Sequence, residues 1–138
     1  MSAHARVAFS IDEARKTLIL RYIGDISGDR LYAQVLDYIH TVEAPWLYDF
    51  LVDTRRFDGV IQAADTEHIG QLWAGLAQGR DKGRRIAVVS TDPLIHARKS
   101  LRDAIFPHRI SGVFTTMDEA LEWLAEPADA QAPIDGTV

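Results

Sequence analysis

Cysteine is absent from the 138 residues, which excludes disulfides, thiolate nucleophiles and cysteine-ligated zinc or iron-sulfur centres. No apolar run approaches the roughly 18 residues that a membrane helix requires. The opening MSAHARVAFS also lacks the basic stretch and apolar segment of a secretory leader. A soluble protein retained in the cytoplasm is the expectation. The glycine patterns that cradle phosphates are missing too: no GxxxxGKS or GxxxxGKT occurs, and Gly24-Asp25-Ile26-Ser27-Gly28 does not fit GxGxxG. Ser27, Ser90, Ser100 and Ser111 lack the GxSxG setting of an activated nucleophile. His4, His40, His68, His96 and His108 never recur at the i,i+4 spacing that places two metal ligands on one helix face. Neither a metal nor a cofactor is expected.

What is present suits one packed domain. Hydrophobic residues make up 47% of the chain and charged residues 25%, enough for a single core at this length. The net charge of -5, from 15 basic and 20 acidic residues, opposes nonspecific contact with a polyanion. Aromatic residues do not interleave with the basic ones in a base-stacking pattern, so no nucleic acid partner is expected.

Periodicity divides the chain. Ala5 to Phe9, a polar turn at Asp12 to Lys16, and the β-branched run Thr17 to Ile23 predict a hairpin. Gly24 and the segment Asp25 to Asp29 lead into a helix carrying Leu31, Val35, Leu36 and Ile39, which Pro45 is expected to close. Tyr48 to Asp53 reads as a strand covered on both faces. Thr54 to Val60 reads as an irregular connection whose Phe57 and Val60 fold back on the core. A second helix follows from about Ala63 to Gly79 through Ile69, Leu72, Trp73 and Leu76, its three glycines demanding support from packing. Arg84 to Ser90 supplies the fourth strand.

Asp92-Pro93 starts a third helix with Leu94, Ile95, Ala97, Leu101 and Ile105 on its inner side. Arg109 to Phe114 is the last strand. Thr116-Met117-Asp118-Glu119 is a capping box for a final helix that stops by Pro127. The order is therefore β-β-α-β-α-β-α-β-α. This is an α/β chain with a mixed sheet, its later strands parallel through right-handed crossovers and its helices flanking. Residues 5–126 form the expected domain, and 127–138 the expected disordered tail.

Three passages carry a resemblance. They are Phe50-Leu51-Val52-Asp53 with Arg56-Phe57-Asp58-Gly59, then Arg85-Ile86-Ala87-Val88-Val89, then Val113-Phe114 leading to Glu119-Ala120-Leu121-Glu122-Trp123-Leu124. In this order they resemble the STAS superfamily and, within it, the bacterial SpoIIAA-like proteins. The resemblance implies a mixed sheet flanked by helices and a role in protein interaction or regulation. It also directs attention to the helix start after the third strand, where anti-sigma-factor antagonists carry a phosphorylated Ser or Thr. The matching stretch, Val60 to Thr66, contains no serine, and Thr66 is its nearest hydroxyl.

The expected function is thus a non-enzymatic regulatory or scaffolding module that acts through protein-protein interaction, with a protein partner or by self-association. Its expected surface is the loop Arg55, Arg56, Phe57, Asp58 and Gly59, together with Asp65 and Thr66, the latter also a candidate phosphosite. A second expectation is reversible membrane-surface association. Arg80, Lys82, Arg84 and Arg85 with Arg98, Lys99, Arg102 and Arg109 could meet headgroups or an acidic partner if they share a side, or could form a solvated face. A third is small-ligand binding or catalysis near Asp53, expected at the C-terminal end of a parallel strand. Asp53 could instead cap nearby amides and neutralise Arg55 or Arg56. Trp73 and Trp123 suit helix-to-sheet packing, and Trp46 the entrance to the third strand.

Overall fold

The computed structural model describes residues 5–127, so the expected tail from residue 128 onward lies outside the described residues. Strands β1 (Arg6–Asp12) and β2 (Thr17–Gly24) form the antiparallel hairpin. Then come helix α1 (Gly28–Ile39), β3 (Asp49–Phe57), α2 (Ala63–Ala77), β4 (Arg85–Val89), α3 (Pro93–Ala97), α4 (Lys99–Ile105), β5 (Ile110–Phe114) and α5 (Met117–Ala125). The sheet order is β1-β2-β3-β4-β5, with β2 to β5 parallel.

Because each parallel strand is added on the same side of its predecessor, right-handed crossovers place every connecting helix on one face. On that face Leu18, Leu20, Phe50, Val52, Ile86 and Val88 meet Leu31, Val35 and Ile39 of α1 and Ile69, Trp73 and Ala77 of α2. The side-chain alternation of a strand sends Leu51, Ala87 and Val89 to the other face, where Ala120 of α5 covers them. The Thr116 half of the capping box expected at α5 is present: Thr116 Oγ1 accepts the Glu119 amide at 3.2 Å.

Three boundaries differ from the sequence reading. Helix α1 ends at Ile39, well before Pro45, which instead opens a short 3-10 turn, Pro45–Leu47. Thr41 donates its hydroxyl to the Tyr38 carbonyl at 2.6 Å and so diverts a helical acceptor. Strand β3 runs on through Thr54, Arg55, Arg56 and Phe57 where an irregular connection was expected. After β4 stops at Val89, β3 still pairs with Ile23 and Gly24 of β2, across a bulge that adds one residue to β3. With a neighbour on one side only, this stretch tolerates exposed arginines, and that polarity disguised it. Finally, the expected third helix is broken at Arg98 (φ -92, ψ 13) into α3 and α4.

The basic group expected on a surface is partly turned inward. Arg109, whose side chain is fully buried, donates Nε to Asp81 at 2.9 Å, and Asp81 also accepts the Trp73 indole N–H at 2.7 Å. Burial lowers the Arg109 pKa to about 10 even though Asp81 opposes that shift. Arg85 is buried and donates to the Trp123 carbonyl at 2.7 Å, while Arg84 pairs with Asp49 at 3.1 Å. Arg80 lies 3.5 Å over the Trp46 ring and donates to the Ala77 and Leu76 carbonyls at the end of α2.

Two stability experiments follow from this packing. Asp81→Ala leaves the Arg109 cation buried without its carboxylate and is expected to cost about 3–5 kcal/mol in urea unfolding; a loss below 1 kcal/mol would contradict the described pair. Within α2, a side chain at Gly70 would overlap Ile105 of α4, whereas Gly75 faces open space. Gly70→Ala should therefore destabilise and Gly75→Ala stabilise by up to about 1 kcal/mol, since both gain helix propensity and only the first meets a neighbour.

Candidate functional site

Between the sheet and helices α1 to α4 lies a cavity of about 330 Å³, within the range of small-molecule sites. Its floor comes from alternate residues of three strands, Leu20 and Tyr22, Phe50 and Val52, Ile86 and Val88. Val35 and Leu36 of α1 and Ile69 and Trp73 of α2 form the walls, and Ile95 and Phe106 close the α3–α4 side. The space has a structural cause. Helix α3 has no fully buried residue, and α4 approaches α2 where Ile105 sits on Gly70. A broken, short crossover thus covers a sheet surface that a continuous apolar helix would fill.

Most polar groups at the wall already have partners. Thr54 donates its hydroxyl to the Val89 carbonyl at 2.8 Å. Ser90 Oγ accepts the Asp92 amide at 3.0 Å, and Asp92 caps α3 through the Leu94 amide at 2.9 Å. The His96 ring lies 2.9 Å from the Ser90 carbonyl oxygen, so its Nε2 engages main chain and not the serine hydroxyl. Burial raises the pKa of the Tyr22 and Tyr32 phenols, which keeps both neutral. Arg102 donates to the Ile95 carbonyl at 2.9 Å, while its Nε is buried without a hydrogen-bond partner. Burial also lowers the Arg102 pKa, opposed by Asp103 and Tyr32. The arrangement suits retention of an apolar molecule, and no nucleophile and base are paired at its wall.

Asp53 lies on the opposite face. It shares its side of the sheet with Ile19, Leu51 and Val89 beneath α5. It is also inside β3 and not at its end, because the strand continues to Phe57. Its carboxylate accepts the Arg55 amide at 3.1 Å and the Arg55 guanidinium twice, at 2.9 Å. Burial pushes the Asp53 pKa up, but the hydrogen bonds and charge of Arg55 outweigh it and the net shift is downward. Asp53 is thereby occupied as a local anchor.

The other expected site residues differ in exposure and in what they contact. Arg55 and Arg56 are exposed on the β3 extension. Phe57, turned to the cavity side by the bulge, packs edge-on against Tyr22 with ring centroids 5.9 Å apart. Asp58 is exposed and its amide donates to the Gly24 carbonyl at 2.9 Å. Gly59 and Thr66 border the cavity, and the Thr66 hydroxyl lies 3.4 Å from that of Tyr32. Asp65 accepts the Gln62 amide at 3.1 Å as the third residue of α2's capping box, and its carboxylate rests against Gly28 at the start of α1. The cavity itself escaped sequence reasoning, which put Arg102 in a basic surface group. The available signal was the thin apolar pattern of His96-Ala97-Arg98-Lys99-Ser100 in a crossover that must cover a sheet.

Among the described residues, no helix is long and apolar enough to cross a membrane, and no group of three His, Asp or Glu side chains is placed to hold a metal ion. No family model matches the chain, and no curated protein does. Solved structures do. The chain is similar to the crystal structure, at 2.25 Å resolution, of an uncharacterized protein of the DUF3478 family from Shewanella loihica PV-4, described as having a SpoIIAA-like fold. The two share 19% identity with a TM-score of 0.59, over 91% of this chain and 99% of that one. With its hairpin, parallel crossovers on one face and terminal helix on the other, this chain has the SpoIIAA-like fold.

Proposed function

We propose that this chain is a non-enzymatic binding module whose cavity takes one small apolar molecule. The observation that supports this reading is the cavity of about 330 Å³ with predominantly apolar walls. Apolar walls left facing water forgo burial, which is a cost, and larger side chains at Val52 or Val88 would fill the space. A bound hydrocarbon offsets the cost by supplying the missing contacts. Occupancy would also stabilise the native state by mass action, which suits a carrier or a sensor in a regulatory role.

Calorimetric titration with decanol tests the reading. Saturable binding is expected, together with a rise in Tm that grows with decanol concentration. Val88→Phe projects a ring from the rigid floor into the void. It should weaken decanol binding by about tenfold or more, a loss of roughly 1.4 kcal/mol, while leaving stability equal or higher by about 0.5–2 kcal/mol. No heat of binding with the wild type, combined with the 1–3 kcal/mol destabilisation typical of overpacking for the variant, would refute a ligand cavity.

A second reading, a contact surface for a protein partner, is favoured by the exposure of Val60 (73%) and Leu94 (55%), both at the cavity rim. Phe57 and Asp65 are poor probes of this surface, since one packs on Tyr22 and the other caps α2. Val60→Glu combined with Leu94→Glu alters the rim alone. Quantitative affinity capture from the native cell should then retain a partner with the wild type and lose it with the double variant. Equal retention by both would reject this surface.

A further inference from the structure

Among the described residues, two buried side-chain nitrogens have no hydrogen-bond partner, the Arg109 NH2 group and Arg102 Nε. The first is accounted for locally. The Arg109 guanidinium pairs with Asp81 and lies 4.0 Å from the Phe50 ring centroid and 5.0 Å from that of Trp73, so aromatic faces receive the remaining edge.

Arg102 has no comparable partner among the described residues. Among the described residues its side chain makes one hydrogen bond, to the Ile95 carbonyl. The adjacent carboxylate of Asp103 is engaged elsewhere, by Lys99 at 2.8 Å and by the Ser111 hydroxyl. The residue is half-buried, but its Nε is shut off from water, and a buried donor left unused is costly; the residue forms part of the wall of an apolar cavity. Tyr32 and Thr66 border the same space. Their mutual contact of 3.4 Å is long for two hydroxyls, so either can turn to an incoming acceptor.

We infer that the molecule held in this cavity is an amphipathic carboxylate, with its hydrocarbon chain against the sheet and its carboxylate on Arg102 Nε, assisted by the Tyr32 hydroxyl. This rests on the cavity reading above and adds the chemistry of the ligand's polar end. A monoanion suffices for the single free donor of Arg102 Nε; the exposed Arg98 also borders the cavity, so a dianion is a competing occupant that decyl phosphate tests. Arg102 acts here as a binding residue.

Calorimetry of the full chain with decanoate, decanol and decyl phosphate separates the possibilities. The wild type should bind decanoate at least about tenfold tighter than decanol, as expected for a charge-assisted hydrogen bond. Arg102→Met should erase that preference while changing decanol affinity less than about twofold. Decanol binding without any preference for decanoate would overturn the headgroup assignment and leave the cavity reading standing. Failure of all three probes would overturn both. Tightest binding of decyl phosphate would overturn the carboxylate.

A wild-type measurement keeps the inference testable even if Arg102→Met does not fold. With decanoate carrying carbon-13 at the carboxyl, the bound acid should titrate below the free acid, because an adjacent guanidinium favours the ionised form. A bound pKa above that of the free acid would mean an apolar surround without the cation, and would overturn the inference.

Discussion

Every parallel crossover in this chain advances in the same direction across the sheet, and a right-handed connection then has only one face to occupy. Helices α1 and α2 are long enough to bury Leu31, Val35, Ile39, Ile69 and Trp73 against that face. The α3–α4 pair has the same duty with shorter pieces, interrupted at Arg98. The cavity is the geometric remainder of this constraint. Helix α5 follows the last strand and is free of any crossover, so it can cover the second face, where Asp53 and Arg55 anchor each other.

The same arrangement accounts for the unusual disposition of charge. The loop between α2 and β4 passes the start of β5, which brings Asp81 to Arg109 and the Trp73 indole. Asp49 at the start of β3 similarly collects the Arg84 guanidinium and the Arg85 amide. These contacts join the N-terminal ends of neighbouring parallel strands. Pairing of this kind is no guarantee of net stability, because desolvation offsets much of the attraction. It does make each partner hard to remove singly, and it withdraws cations from the surface that composition alone would assign to a docking face.

The opposite end of the sheet has a different character. There the strands run out beside Thr54, Ser90 and Asp92, and the apolar floor gives way to a rim carrying Val60 and Leu94. Parallel α/β sheets commonly place ligands beyond the carboxyl ends of their strands. The bulge in β3 reinforces this placement. By adding one residue it reverses the alternation, so Phe57 turns to the cavity side while Arg55 stays with Asp53. Fold likeness to a protein with a SpoIIAA-like fold fixes the architecture and leaves chemistry to the site's own residues.

Local patterns were sufficient to specify the succession of strands and main helices apart from the break at Arg98, the hairpin, the Thr116 cap, the start of α3 at Asp92-Pro93 and the burial of Trp73, because periodicity and cap chemistry act over a few residues. They did not specify the length of β3 or the direction of Asp53. Strand length depends on whether a neighbour offers free backbone groups, and β2 does so beyond the end of β4. Nor did they separate Arg109, buried on Asp81, from the exposed Arg98, since a basic residue looks the same in sequence whether or not a distant carboxylate faces it. The cavity was decided by tertiary structure alone: its volume is the mismatch between a sheet surface and the helices covering it, and no single segment encodes that difference.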